Sequence, residues 1–160
     1  MSTATVSTIF CVQQASGTDA AVNEALGQLP PTILPAQLAG ISILDFLRTL
    51  PGVIGAIDTA RSDPDDLYIT SGTASGRDGA IYPGPGRNIT MQAGQSIAPA
   101  LAIEFGTSQN LSLWDYDSAS DDDLLGSVTM YESERGLGEI IKLASSRVEN
   151  SAYYVAYRVD

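Results

Sequence analysis

Apolar residues follow two different periods along this chain. Residues 5–14 (TVSTIFCVQQ) are rich in β-branched and aromatic types and predict a first strand, ended by Ser16-Gly17-Thr18. From Asp19 the period lengthens. Val22, Ala25, Leu26 and Leu29 share one helical face, with Thr18 or Asp19 as N-cap and Gly27 near the end. Pro30-Pro31 breaks this pattern, and a second helix is expected to start near Pro35 with Leu38, Ile41, Leu44 and Leu47 on one side. It should stop at Leu50, because the residue before a proline avoids the α region. Pro51 suits the first position of a third short helix carrying Ile54 and Ile57. Residues 19–61 therefore predict a helical insertion between two strands. Its polar faces carry almost no Lys or Arg, so its apolar stripes suit core or interface cover better than a membrane surface.

Beyond the insertion the two-residue period returns. Leu67-Tyr68-Ile69-Thr70 opens a strand, and residues 71–88 (SGTASGRDGAIYPGPGRN) predict turns around a short strand at Ala80-Ile81-Tyr82. GRDG and PGPG do not make a phosphate-binding loop, which needs a following helix and a Lys. In 96–105, Ile97, Leu101, Ile103 and Phe105 alternate with Ala98, Ala100, Ala102 and Glu104, the pattern of a half-buried strand. Further strands are expected at Leu111 to Trp114 and near 124–131, 138–144 and 151–159. In the last, Tyr153, Val155, Tyr157 and Val159 alternate with Tyr154, Ala156 and Arg158.

Composition narrows the function. A length of 160 residues with 44% hydrophobic content is expected to form one domain with a core of ordinary size. The 19 acidic and 8 basic residues give a net charge of −11. That balance argues against nucleic acid and against electrostatic docking on an anionic membrane. Histidine is absent, which removes the commonest general base. The single Cys11 lies in an apolar strand pattern and is expected to be a buried thiol. No secretory signal pattern is visible at the N-terminus, and a cytoplasmic location is expected.

Eight of the acidic residues fall in two short segments, 63–66 and 115–123. The second holds Asp115, Asp117, Asp121, Asp122 and Asp123 between two β-prone runs. Carboxylates so crowded repel one another, and a hard cation that takes six to eight oxygens in loose geometry, calcium, would relieve them. An EF-hand does not fit. Counting from Asp115, position five is Ala119, position six is Ser120 and position twelve is Gly126, and the flanks are strand-like.

The stretch does resemble the third calcium loop of C2 domains. Trp114-Asp115-x-Asp117, five residues, then Asp123-Leu124-Leu125-Gly126 match that family's loop in residue type and spacing. Asp63-Pro64-Asp65-Asp66 followed by Leu67-Tyr68-Ile69 resembles the family's first calcium loop, with Asp66 on a ligand position. The resemblance covers the first strand and about residues 63–160. It implies an all-β fold, an eight-stranded antiparallel C2-like β-sandwich across 1–160, with a helical insertion at 19–61 and the acidic loops at one end.

The resemblance also implies calcium ligands at Asp66, Asp115, Asp117 and Asp123. The remaining first-loop ligand is left among Asp63, Asp58 and Asp19, since Ala60 stands where the family usually has it. Asp121 and Asp122 are either rim ligands or extra negative field. The function expected is a non-enzymatic calcium-binding module, and five crowded Asp residues without a nucleophile favour a cage over a hydrolase. The alternative is a structural or interaction subunit, in which calcium stabilises the fold and the insertion docks on a partner or on a second copy. Calcium-dependent lipid contact gains little support from the loop tip Ser118-Ala119-Ser120.

Overall fold

The computed structural model describes residues 1–16, 20–50 and 63–160. Two antiparallel sheets dominate. One joins β1 (Ser2–Gln13), β2 (Thr32–Ile33), β5 (Ser96–Ile97), β6 (Leu101–Phe105), β9 (Glu139–Ser146) and β10 (Ser151–Val159) in the order β2-β9-β10-β1, with β5 and β6 both on the far side of β1. The other runs β4 (Ile89–Met91), β3 (Asp65–Ser71), β7 (Ser108–Asp115) and β8 (Asp123–Tyr131). Between the sheets lie Ile9, Cys11, Leu67, Ile69, Leu113, Leu125, Tyr153 and Val155, all fully buried. Cys11 is a free, buried thiol as expected.

Ten strands are described where the sequence predicts eight. Three places account for the difference. The 96–105 run divides because Ala100 takes φ 49° just after Pro99, which has no N–H to give the ladder. Residues 80–82 form only an isolated bridge, Ile69 to Tyr82, beside a 3-10 turn at Arg77–Gly79. The very short β2 and β4 extend the two sheets without any alternation long enough to read.

Helices α1 (Ala20–Leu26), α2 (Pro35–Leu38) and α3 (Ile43–Arg48) fall in the predicted insertion. The expected single helix from Pro35 to Leu50 is broken in two. Ala39 and Gly40 turn left-handed at φ 50° and 84°, and Ser42 then caps α3 by accepting the Asp45 N–H at 3.1 Å. The third helix, with Ile54 and Ile57, lies outside the described residues, as do Asp19 and Asp58. Helices this short do not stand alone in water. Val22, Leu26, Leu29 and Leu47 are buried against Phe10, Val12, Tyr154 and Ala156 on the outer face of the six-stranded sheet. Each such side chain contributes about 1.5–3 kcal/mol on burial. This cover explains why β10 is buried on both faces, with Arg158 its one exposed position. Among the described residues, no helix is long and apolar enough to cross a membrane.

One corner of the sandwich is tightly closed. Gly126 of β8 lies against Ala144 and Ser145 of β9, with no room for a side chain. Asp123 lies three residues earlier on the same strand, so this contact holds the strand that carries it against β9.

Candidate functional site

The acidic segments meet at one end of the sandwich, where β1, β7 and β9 finish and β3, β8 and β10 begin. Antiparallel register puts Leu67 opposite Asp115, and Asp115 opposite Asp123. Directly opposed residues project to the same face, so Asp115 and Asp123 stand at the rim of the inter-sheet core. Asp66 binds Asp115 through its backbone, its N–H donating to Asp115 Oδ1 at 2.6 Å, while its own carbonyl accepts the Tyr116 N–H at 2.9 Å. Asp115 is thus flanked by Asp123 through register and by the Asp66 backbone through this bond, and both neighbours' charges act on it.

The other predicted ligands stand differently. Asp117 is exposed and turned onto its own loop, accepting the Ala119 N–H at 2.8 Å and the Ser120 hydroxyl at 2.7 Å. Those two bonds hold its carboxyl below the usual range. Asp63 is exposed, just ahead of β3. Asp121 is exposed, whereas Asp122 is half-buried and accepts both the Asp117 N–H at 3.0 Å and the Tyr68 hydroxyl at 2.5 Å.

Asp65 is the residue that sequence reasoning passed over. It is 1% exposed, and its carboxylate accepts the Ala15 N–H at 3.0 Å and the Tyr153 hydroxyl at 2.5 Å. Burial pushes it up to about 7, with Asp115 and Asp66 adding to the rise against the hydrogen bonds. The signal was available: Leu67 and Ile69 are core residues, and the two-residue period carries their face back to Asp65. Glu149, on the β9–β10 hairpin, also belongs to this end. Its carboxyl is raised by burial and by Asp123.

The electrostatics follow from the crowding. Burial pushes Asp115 up to about 6, with Asp66, Asp123 and Asp117 all adding repulsion and the Asp66 N–H partly offsetting it. No cation relieves this among the described residues, whose ion pairs are Arg48–Asp45, Lys142–Glu134 and Arg158–Asp160. Arg77 is near but stacks on the Tyr116 ring, 3.4 Å from its centroid, and donates to Asn88.

This donor set fits a hard cation in chemistry, being all carboxylate oxygen with mutual repulsion and no ion-pair partner among the described residues. It is not drawn into a closed cage: among the described residues no three acidic, His or Cys side chains form a metal-holding group. The Asp117 carboxylate is instead engaged by the Ala119 N–H and the Ser120 hydroxyl. Those bonds are on an exposed loop, where water competes for the same carboxylate oxygens.

No protein-family model matches the chain, and no curated protein does. Two solved structures of Human GIVD cytosolic phospholipase A2 match it, one in complex with methyl gamma-linolenyl fluorophosphonate and one with that inhibitor and terbium chloride. Each is 16% identical over 99% of this chain, with TM-scores of 0.36 and 0.37, and the chain spans only 16% and 17% of their length. A likeness this slight identifies neither family nor activity.

Proposed function

We propose that this chain is a single C2-like module that binds calcium without catalysing a reaction, with Asp66, Asp115, Asp117 and Asp123 as ligands and Asp63 at the rim. The observation that carries this is the raised carboxyl of Asp115, which burial and the charges of Asp66, Asp123 and Asp117 push up with no cationic partner among the described residues. Bound calcium would supply positive charge and oxygen coordination at that point. The protein's part is to hold Asp115 and Asp123 in fixed register on β7 and β8, and Asp66 beside them through its backbone bond to Asp115. Asp117 completes the set when its turn opens.

Thermal unfolding in chelator, calcium and magnesium tests this. A ligand at a hundredfold its dissociation constant stabilises by about 2.7 kcal/mol. For a chain of this size that raises the melting temperature by about 5–10 °C. Magnesium should do much less, because it demands octahedral geometry and keeps its waters. Identical melting curves in chelator and in millimolar calcium would sink the proposal.

A second reading makes the module a structural subunit whose insertion docks on a partner. The observation that favours it is the exposure of two large apolar side chains, Leu34 and Ile41, at 46% and 43%, among the described residues of the insertion. Sedimentation or light scattering of Leu34→Ser and Ile41→Ser variants would separate this from a module acting alone.

A further inference from the structure

Tyr68 links the acidic loop to the glycine-rich segment 71–88. It lies on the outer face of β3, fully buried and packed with Ala80 and Trp114. Its hydroxyl accepts the Gly76 N–H at 2.8 Å and donates to Asp122 Oδ2 at 2.5 Å. The other oxygen of Asp122 accepts the Asp117 N–H at 3.0 Å. One continuous path therefore runs from the Gly76 backbone through a phenol and a carboxylate to the Asp117 backbone. Burial, then the bond to Asp122, pushes the phenol up to about 12, so it remains a donor at neutral pH.

The base of this path is firm. The Trp114 indole N–H donates to Thr70 Oγ1 at 3.0 Å, the Thr70 hydroxyl to the Ala74 carbonyl at 3.2 Å, and the Ser112 hydroxyl to the Gly72 carbonyl at 2.6 Å. Segment 71–88 is thus fastened to β3 and β7, and Tyr68 carries that fastening on to the acidic loop. Asp122 has both oxygens engaged by donors, while Asp121 beside it is exposed. Two neighbouring carboxylates of the same loop therefore stand in different roles.

The geometry points to Tyr68 as a positioning residue that acts through Asp122 to fix the backbone at Asp117, so that Asp122 braces the calcium loop and is not itself a ligand. The effect on calcium rests on the proposed function; the brace does not. Tyr68→Phe removes one hydroxyl and changes no charge at neutral pH, so any loss of affinity it causes is not a field effect.

Calcium chloride titrations of the full chain, with hydrogen exchange of the calcium-free proteins, test the inference. Tyr68→Phe and Asp122→Asn should each weaken calcium binding by about tenfold, as expected for a lost hydrogen bond to a charged group. The double variant should be no weaker than the weaker single variant, because both cut one path. Without calcium, the Gly76 and Asp117 amides should exchange faster in Tyr68→Phe than in the native chain, and Asp121→Asn should leave both unchanged. Native affinity in Tyr68→Phe, or additive losses in the double variant, would overturn the positioning role. If the native chain takes up no calcium, the proposed function fails by itself. Exchange then still decides the brace: faster Gly76 and Asp117 amides in Tyr68→Phe support it, and unchanged ones refute it.

Discussion

Replacing Gly126 by alanine should loosen the corner that places Asp123. Gly126 has a φ of 147°, and a Cβ built there falls 2.3 Å from Ser145 N, 2.4 Å from Ala144 C and 3.0 Å from Ala144 O. All three are backbone atoms, so no side chain can swing away; β8 and β9 must separate. Overpacking of this kind costs about 1–3 kcal/mol, and positive φ costs a residue with a Cβ roughly 1–2 kcal/mol more. Together these lower the melting temperature by on the order of 10 °C in a chain of this length. Gly136→Ala is the control, since Gly136 has a φ of 78° with nothing within 4 Å of the added Cβ. It carries the conformational term alone. Circular dichroism melts of both variants in chelator give the comparison. Gly126→Ala should melt well below Gly136→Ala, and calcium should stabilise it less because Asp123 has lost its register with Asp115. A Gly126→Ala melt equal to that of the control would refute the closed corner.

Three further outcomes follow from the carboxylates. Asp65 and Asp115 sit at about 7 and about 6 in the native chain, against about 3.9 unfolded. The native state therefore binds more protons between those values, and their contribution to calcium-free stability, full below about pH 4, is lost as pH rises through 6 to 7. Denaturant titrations in chelator at pH 5 and pH 8 should show that loss shrinking in Asp65→Asn; an equal loss in both proteins would contradict it. Asp65→Ala leaves the Tyr153 hydroxyl and the Ala15 N–H without their acceptor, at about 1–3 kcal/mol each, so it should melt below Asp65→Asn, and coincident melts would count against that pairing. Asp117→Asn should weaken calcium binding strongly at any salt, whereas Asp121→Asn should act only through a field screened over about 8 Å at physiological ionic strength; equal, salt-independent losses would show the ligands to be wrongly chosen.

The long strands were legible because their alternation is set by one buried face. β8 and β10 fall where Val128, Met130, Tyr153 and Tyr157 place them. The burial of Tyr154 and Ala156 was not legible, since it depends on α1 and α3 covering the outer face of the sheet. The break at Ala39 and Gly40 had a local signal in Ser42 and Asp45, a capping pair placed inside the helical period. At the site, the spacing of Asp115, Asp117 and Asp123 located the loop and its flanking strands. It did not distinguish Asp121 from Asp122, because that difference comes from Tyr68 on another strand. Nor did it reveal Asp65, whose partners Ala15 and Tyr153 are distant in sequence.

Calorimetric titration with calcium of the native chain and of the triple variant Asp66→Asn, Asp115→Asn, Asp123→Asn tests the calcium site most directly. The variant keeps side-chain size and removes the charge of Asp115 and those of Asp66 and Asp123, which repel it. The native chain should give a saturable isotherm and the variant none, while the variant melts no lower than the native chain in chelator because its repulsion is gone. A flat native titration at millimolar calcium, or undiminished binding by the triple variant, would show that this end of the sandwich is not a calcium site.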